Sequence, residues 1–204
     1  GDVKLEASLE LRNTVLRNVL AAEWLLAFFT DAGKAEFDAL LSGYETRRFR
    51  QGDTRGVLQA DFELPNGAVL TGFAVHFPAP YHPTPMRVAA YEHLNALRDA
   101  LPDHHHAFAA GDFNTTSTED EREGMLDRFA RPGWTVAHDL GCGDCRGTYY
   151  YRPDDNWSFL DMILFSPARG EKTTGRIRAD SVAIANKIPA QVTASGTPKR
   201  HDSA

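Results

Sequence analysis

The sequence has no excess of positive charge and no long apolar run. Its 22 Lys and Arg residues against 28 Asp and Glu residues give a formal net charge of -6. This balance argues against a protein that binds nucleic acid through bulk positive charge, but it does not exclude an enzyme that meets phosphate groups through a metal ion. No apolar run reaches the roughly 18 residues that a membrane-spanning helix needs. Internal repeats and low-complexity tracts are absent too, and 204 residues suffice for one sizeable domain with a core.

Cysteine is scarce: the chain has two, Cys142 and Cys145, in a Gly-rich stretch. A single Cys-x-x-Cys pair supplies half of a tetrahedral zinc site, and the sequence has no second pair. A thioredoxin-like role needs the motif at a helix start after a strand, which this stretch does not provide. A small disulfide and two free thiols remain, of which the sequence favours the disulfide. A disulfide indicates an oxidising compartment, so we expect a periplasmic or secreted location.

Hydrophobic periodicity predicts a mixed α/β fold. Alternating apolar residues predict strands, and apolar residues at helical spacing predict helices with one buried face. An Asn66-Gly67 pair between two apolar runs is a strong hairpin signal. The predicted strands are 3–11, 37–41, 56–64, 68–77, 106–110, 134–138, 158–165 and 177–185, and the predicted helices are 14–29, 86–101 and 121–129. Hairpins and long crossovers both occur, so we expect a mixed sheet, or a pair of sheets, faced by helices.

Polar side chains end or interrupt three of the apolar strands. His76 ends one strand before a Pro-rich loop, Asp112 and Asn114 end a second in Gly-Asp-x-Asn, and Asp161 interrupts a third. An acid in a core strand is costly unless it is paired or hydrogen-bonded. Each residue has a structural alternative: an Asx turn, a hydrogen-bonded strand-end histidine, or an acid bonded to a neighbouring loop. Taken together they favour a site for a hydrated divalent metal and a phosphate, because hard cations prefer oxygen ligands.

Three segments carry a resemblance to a known family. They are Phe73-Ala-Val-His76-Phe-Pro78, Ala110-Gly-Asp-Phe-Asn-Thr115 and Ser158-Phe-Leu-Asp-Met-Ile-Leu164. In their order and rough spacing the chain resembles the endonuclease/exonuclease/phosphatase superfamily, which includes deoxyribonuclease I, abasic-site endonucleases, sphingomyelinases and inositol-polyphosphate phosphatases. The strand from Thr54 to Asp61 with its hairpin is similar to the bacterial branch, and the resemblance covers about residues 37 to 190.

The resemblance implies a deoxyribonuclease I-like fold, a two-sheet α/β sandwich of mixed strands flanked by helices, with the site at one mouth. It also implies hydrolysis of phosphodiester or phosphomonoester bonds with Mg²⁺ or a similar ion such as Mn²⁺ or Ca²⁺. By resemblance, Asp112 orients or deprotonates the attacking water and helps to hold the metal, and Asn114 holds a phosphate oxygen. His76 stabilises charge on the phosphate or assists the leaving group, and Asp161 orients a later catalytic histidine. A general base, a charge-stabilising donor and a Lewis acid together suit an in-line displacement at phosphorus.

Two elements of the family pattern are not found in the sequence. The family's first strand, with its metal-site asparagine, should precede the strand 3–11, and its last strand should begin with Ser-Asp-His. The chain instead ends in Lys199-Arg-His-Asp-Ser-Ala204, where His201-Asp202 has the wrong order, so the motif is not assigned to it. We therefore expect residues 1–204 to form a single domain that is incomplete at both ends. Glu10 occupies the place of the family's metal-binding glutamate, with a solvent-facing strand residue as the alternative.

Residues around the expected site supply further candidates. Tyr81 and Arg87 lie in or next to the loop after His76 and are candidate substrate contacts, with simple exposure as the alternative. The run Thr148-Tyr-Tyr-Tyr151 either stacks on a base or sugar or places one aromatic face in the core, and the sequence favours the core. His104-His-His106 is expected in a surface turn, because adjacent side chains on an extended chain point to opposite sides and chelate a metal poorly.

The sequence therefore predicts a metal-dependent phosphoesterase, with a nuclease-like phosphodiesterase as the first hypothesis. Its expected partner is a phosphoester substrate, of which nucleic acid is one candidate. A phosphomonoesterase or a sphingomyelinase-type lipid hydrolase is the second hypothesis, and an inactive binding domain of the same fold is a third. All three stay open because one fold and one core site serve DNA, lipid and inositol substrates.

Overall fold

The computed structural model describes residues 56–63, 67–169, 175–184 and 192–199. Its strands are β1 (Leu58–Glu63), β2 (Val69–His76), β3 (His105–Asp112), β4 (Thr135–Val136), β5 (Tyr149–Tyr151), β6 (Asn156–Ser158) and β7 (Asp161–Ser166). The helices are α1 (Thr84–Asp99), α2 (Ser117–Glu123) and α3 (Ala137–Leu140), with a π-helical turn at Leu126–Ala130 and 3₁₀ turns at Arg152–Asp154 and Ala179–Ser181. Within these ranges no helix is long and apolar enough to cross a bilayer. The predicted elements 3–11, 14–29 and 37–41 lie outside the described residues.

The strands form a five-stranded mixed sheet in the order β1-β2-β3-β7-β4 and a two-stranded sheet of β5 and β6. β1 and β2 are the predicted antiparallel hairpin, in which Leu58 pairs with Ala74 and Glu63 with Val69. Gly67 between them has a φ of +79°, a left-handed conformation that glycine adopts without steric cost. The Asn-Gly signal in the sequence therefore located this hairpin correctly.

Helix α1 connects β2 to β3, which are parallel neighbours in the sheet. Parallel strands cannot be joined by a tight turn, so the chain crosses over through a helix. Proline in the first turn suits the start of α1, because its fixed φ is already helical. Tyr91 and Leu94 on the predicted apolar face are 1% and 0% exposed, respectively, so the helix packs on the sheet as its periodicity predicted.

The five-stranded sheet is buried on both faces. One face packs against α1 and the π-helical turn, in a cluster that includes Phe73, Tyr91, Phe113 and Leu164. The other face carries a second apolar cluster of Ala60, Phe62, Leu70, Ala74 and Phe108. This layered arrangement confirms the predicted mixed α/β fold.

The helix predicted at 121–129 is divided into two pieces. Thr116 caps α2, because its hydroxyl oxygen accepts a hydrogen bond from the backbone N–H of Glu119 at 3.1 Å. Gly124 ends α2 in the left-handed conformation, with a φ of +61°. The chain then re-enters a helical turn in which Met125 and Leu126 are buried, as their apolar character predicted.

Two predicted strands are wrong or shortened. Residues 177–184 form no strand, because Arg178 pairs with Asp180 and the Ser181 hydroxyl donates to the Arg178 carbonyl, which closes a 3₁₀ turn instead. The strand predicted at 134–138 contains only Thr135 and Val136, since α3 begins at Ala137.

The three consecutive histidines are not all in a surface turn. His104 lies in the turn, but the next two residues begin β3. The Nδ1 atom of buried His106 accepts a hydrogen bond from the Ala168 N–H at 3.1 Å, and its ring stacks on Phe165. Burial lowers the pKa of His106, so this histidine is held neutral. It therefore has a structural role in the sheet.

Cys142 and Cys145 are joined by a disulfide in the loop between α3 and β5. This is the pairing that the sequence favoured over two free thiols. The periplasmic or secreted location that it indicates stays a prediction.

Candidate active site

Three neighbouring strands bring their polar residues to one end of the sheet. In the parallel pairing of β2 and β3, His76 is the register partner of Asp112. In the antiparallel pairing of β3 and β7, Asp112 is the register partner of Asp161. The structure therefore places His76, Asp112 and Asp161 side by side on adjacent strands. Register partners present their side chains to the same face of a sheet, so the three groups share one face.

That face is the one that carries the second apolar cluster. Side chains alternate along a strand, so His76 shares a face with Ala74 and Asp112 shares a face with Phe108. Both Ala74 and Phe108 belong to the cluster. The polar groups thus lie where the apolar layer ends, at an edge that solvent and a substrate can reach.

His76 and Asp112 are close enough to act together. The Nε2 atom of His76 lies 3.8 Å from the Oδ2 atom of Asp112, and their side chains are 44% and 30% exposed. An imidazole next to a carboxylate is a common arrangement for proton transfer and for stabilising charge. Their partial exposure leaves the pair accessible from solvent.

Asn114 is held in one orientation by the strand ends around it. Its backbone has a φ of 51°, in the left-handed region, and the residue is 5% exposed. The Nδ2 group donates to the Phe77 carbonyl at 2.8 Å, and the backbone N–H donates to Oδ1 of Asp112 at 2.8 Å. The Asx-type turn that the sequence allowed is therefore present, and it also fixes Asn114 beside His76 and Asp112.

Asp161 is oriented from a loop that precedes β5. Its backbone N–H donates to the hydroxyl oxygen of Thr148 at 2.9 Å. Burial raises the pKa of the Asp161 carboxyl, and a hydrogen bond with the Thr148 side chain acts in the opposite direction. Burial therefore disfavours the ionised form of the carboxyl, which a positively charged neighbour would stabilise.

Gly111 allows β2 and β3 to approach at this edge. Its φ is +139°, a backbone conformation that residues other than glycine rarely adopt. A Cβ atom at this position would lie 2.1 Å from the Val75 carbonyl oxygen. The glycine of Gly-Asp-x-Asn is thus required by the contact with β2, directly before the His76–Asp112 pair.

The family of the chain follows from comparison with known proteins. The model of the Endonuclease/Exonuclease/phosphatase family matches residues 18–183, which is most of the chain. The chain belongs to this family. Its members are hydrolases that act on phosphoester bonds and generally depend on a divalent metal. No curated protein matches the chain.

Several solved structures are similar to this member of the family. Danio rerio TDP2 in complex with a single-strand DNA product has a TM-score of 0.47 and 17% identity, over 65% of this chain and 52% of that chain. The Bacteroides thetaiotaomicron mannosyl-6-phosphatase Bt3783 has a TM-score of 0.44 and 19% identity, over 57% and 45% of the two chains. An endonuclease/exonuclease/phosphatase family protein from the same species has a TM-score of 0.44 and 20% identity, over 56% and 43%. The chain spans about half the length of these structures.

The oxygen donors at the strand ends fit the divalent cation on which the family generally depends. Asp112 and Asp161 are register partners, so both carboxylates project from one face of the sheet. Carboxylate oxygens are the ligands that a hard cation prefers. Glu10, the other expected metal ligand, lies outside the described residues.

Arg87 is not available to a substrate in this structure, which corrects the sequence-based assignment. Its side chain is buried and forms a two-pronged ion pair with Glu119, in which Nε lies 2.7 Å from Oε2. The remaining guanidinium nitrogen donates to the carbonyl of Ala79 at 2.8 Å and to that of His82 at 3.1 Å. Arg87 therefore ties the loop that follows His76 to helix α2. Tyr81 in the same loop is 77% exposed and stays a candidate substrate contact.

The tyrosines of β5 are exposed, so the sequence-based preference for a core strand was wrong. Tyr149 and Tyr151 are 44% and 46% exposed, and as alternate residues of one strand they share a face. Tyr150 faces the other way, where its ring lies 5.0 Å from that of Trp157. Trp157 is the cross-strand partner of Tyr150, so this contact lies within the hairpin, and Tyr149 and Tyr151 leave an aromatic face toward solvent directly after Thr148.

Some residues that build the site carry no recognisable sequence signal. Thr148 contacts Asp161, and Ser158 accepts a hydrogen bond from the Ser117 backbone N–H at 3.0 Å, which docks the β5–β6 hairpin on α2. The Ser117 hydroxyl also exchanges hydrogen bonds with Asn156. Serine, threonine and asparagine are common in turns, and their partners are 13 to 41 residues away in sequence.

Proposed function

We propose that this protein is a divalent-metal-dependent phosphoesterase that hydrolyses a phosphodiester by nuclease-like attack of an activated water. The observation that carries the proposal is the register that aligns His76, Asp112 and Asp161 across three adjacent strands. Membership of a family of phosphoester hydrolases supports it. An imidazole, two carboxylates and an amide at one solvent-reachable edge are the groups that an in-line displacement at phosphorus needs.

Each side chain has a role that its position supports. Asp112 lies between the other two strands, so its carboxylate is placed to orient or deprotonate the attacking water. His76, 3.8 Å away, is placed to stabilise charge on the phosphate or to protonate the leaving group. Asn114 is fixed by its bond to Phe77 and holds a phosphate oxygen. Asp161, on the strand next to Asp112, would orient the catalytic histidine of the family pattern, which is not assigned in this sequence.

Asp112 and Glu10 would hold the metal, for which Mg²⁺, Mn²⁺ and Ca²⁺ are the candidates. When bound, the ion supplies a Lewis acid that polarises the phosphoryl oxygens and lowers the pKa of bound water. Oxygen ligands suit all three ions, so the ligand residues do not distinguish among them and an assay is needed to identify the metal.

A direct assay tests the proposal. The purified chain is incubated with bis(4-nitrophenyl) phosphate or plasmid DNA in the presence of Mg²⁺, Mn²⁺ or Ca²⁺, and after chelation of metal by EDTA. We expect hydrolysis that requires the metal and is restored when metal is returned in excess over the chelator. If no diester is cut with any of the three ions, the alternative of an inactive binding domain is supported instead. Hydrolysis of 4-nitrophenyl phosphate alone would favour a phosphomonoesterase.

The exposed face of β5 favours nucleic acid as the substrate. Aromatic rings that project from one face of a strand can stack on successive bases, and each stacked base contributes about 1–3 kcal/mol. Tyr149 follows directly after Thr148, which contacts Asp161, so the aromatic face continues from the candidate site. We therefore expect the double variant Tyr149→Ala/Tyr151→Ala to raise KM for a single-stranded oligonucleotide about tenfold or more. Hydrolysis of the small diester, which has no run of bases, should change far less.

The matched control keeps both rings and removes only the hydroxyls. Tyr149→Phe/Tyr151→Phe should bind the oligonucleotide nearly as well as the unchanged protein, as measured by steady-state kinetics. An alanine variant with an unchanged KM, or a phenylalanine variant as weak as the alanine variant, would contradict stacking by this face.

A further inference from the structure

The turn from Cys142 to Cys145 gathers three metal-binding side chains, none of which belongs to the candidate active site. The sulfur atoms of Cys142 and Cys145 and a carboxylate oxygen of Asp144 all lie within 4.8 Å of one another. In this structure the two sulfurs are joined in a disulfide. The three groups can therefore act together as ligands only after the disulfide has been reduced.

The backbone holds this turn closed independently of the disulfide. The Cys145 N–H donates to the Cys142 carbonyl at 2.8 Å, and the two Cα atoms are 5.2 Å apart. Gly141, directly before the turn, packs so closely that a Cβ there would lie 2.2 Å from the Ala179 carbonyl oxygen. Thr148, three residues after the turn, accepts a hydrogen bond from the Asp161 backbone N–H. With both ends anchored and a hydrogen bond across the turn, reduction should leave the sulfurs near each other.

The separation of the donor atoms suits tetrahedral coordination. Zn²⁺ binds thiolate sulfur at about 2.3 Å and carboxylate oxygen at about 2.0–2.2 Å, so tetrahedral ligands lie roughly 3.3–3.8 Å apart. Donor atoms already within 4.8 Å reach that spacing by side-chain rotation once the sulfurs are released. Two thiolates also select a thiophilic cation over Mg²⁺, which distinguishes this cluster from the oxygen donors at the strand ends.

We propose that Cys142, Asp144 and Cys145 form a binding site for a thiophilic divalent cation such as Zn²⁺, which becomes available when their disulfide is reduced. A dithiol reductant gives two electrons and two protons to the disulfide and is itself oxidised to a disulfide. The cation then displaces the two thiol protons and binds both thiolates and the carboxylate, with water in the fourth position. Oxidation and metal binding thus exclude each other.

The experiment uses Cd²⁺ as the probe, because cadmium–thiolate bonds absorb in the near ultraviolet. The full chain is reduced, freed of reductant without oxygen and titrated with Cd²⁺, in parallel with the oxidised protein. We expect an absorbance that saturates at one Cd²⁺ per reduced chain, is absent from the oxidised chain, and is lost on addition of Zn²⁺. No thiolate absorbance in the reduced chain would overturn the proposal.

Three variants assign the ligands. Cys145→Ser should abolish the thiolate absorbance, and Asp144→Asn should keep it but weaken the affinity by at least about tenfold, since a charged ligand is lost. Asp112→Asn should leave it unchanged, which separates this site from the phosphoester site. A titration that Cys145→Ser does not alter, or that Asp112→Asn removes, would place the cation elsewhere. The readout does not depend on hydrolysis, so the outcome stands whether or not the proposed phosphoesterase activity is found.

Discussion

Replacing Asp112 with asparagine is expected to lower kcat/KM for a phosphodiester by about 10²–10⁴-fold, the range that a general base contributes. The asparagine side chain has nearly the same shape, and its amide oxygen can still accept the bond from the Asn114 backbone N–H. What it removes is the negative charge that takes up a proton from water and attracts a cation. Initial rates over a range of pH and metal concentration would measure both losses.

The control for this variant is an aspartate just before the start of β3, the strand that ends at Asp112. Asp103 is 79% exposed and pairs with Arg169 at 3.0 Å. Asp103→Asn makes the same chemical change more than a strand's length from the candidate site, so we expect kcat/KM to stay within about twofold of the unchanged protein. Equal activity in Asp112→Asn and Asp103→Asn, with equal melting temperatures, would remove Asp112 from the proposed mechanism.

Replacing Arg87 with methionine is expected to cost about 3–5 kcal/mol of unfolding free energy, the usual effect of breaking a buried ion pair. Arg87 and Glu119 are 2% and 5% exposed, so the variant leaves a carboxylate without its cation in a site with little water. It also removes the Arg87 donor from the carbonyls of Ala79 and His82, of which the Ala79 carbonyl keeps the hydrogen bond from the His82 backbone N–H. Urea unfolding followed by circular dichroism would measure the difference.

A surface ion pair provides the comparison for Arg87. Arg122 lies 2.8 Å from Glu123, and the two side chains are 62% and 37% exposed. Arg122→Met removes the same kind of side chain, but exposed pairs contribute only about 0–1 kcal/mol. If Arg87→Met were no more destabilising than Arg122→Met, the loop after His76 would not depend on the buried pair. The further change Glu119→Leu in the Arg87→Met background should recover part of the loss, because it removes the uncompensated charge.

The same ion pair predicts a loss of stability in acid. Burial raises the pKa of Glu119, but hydrogen bonds from Arg87 and Thr84 and the positive charge of Arg87 outweigh it, so the pKa lies below the ordinary range. A carboxyl group with a lower pKa in the folded than in the unfolded state stabilises the fold above its unfolded pKa. That contribution disappears as the pH falls through the folded pKa. Thermal unfolding between about pH 6 and pH 3 should show a decline that is smaller in Arg87→Met.

The parts of the fold that depend on local patterns could be predicted from the sequence. The β1–β2 hairpin followed from an Asn-Gly pair, and α1 from apolar residues at helical spacing with prolines at its start and beyond its end. Three residues, His76, Asp112 and Asp161, could be selected from the sequence. A polar group at the end of an apolar strand, or within it, costs free energy unless it is paired or hydrogen-bonded. Their alignment depends on the pairing register of strands that are far apart in sequence. The order of the family segments suggested this alignment, and the structure shows it.

The parts that depend on distant partners could not be predicted. Arg87 looked like a loop residue near a substrate, because nothing near it in the sequence shows that Glu119, 32 residues later, would bury it. The tyrosine run has strong strand propensity, but propensity does not say whether a strand packs in the core. Here Tyr149 and Tyr151 face solvent, and Tyr150 contacts its cross-strand partner Trp157 within the hairpin. In place of the strand expected at 177–185, the described residues contain a 3₁₀ turn at Ala179–Ser181, beside which Arg178 pairs with Asp180.

The absence of a Cβ atom at Gly111 has a consequence for how members of this enzyme family can diversify. Because no side chain separates the two backbones there, the distance from imidazole to carboxylate is governed by main-chain hydrogen bonding, which varies little when neighbouring loops are replaced. Loops that meet the substrate are then free to change in length and chemistry while the reacting groups keep their spacing. In the proposed phosphoesterase, specificity and reactivity would therefore be encoded in separate parts of the chain.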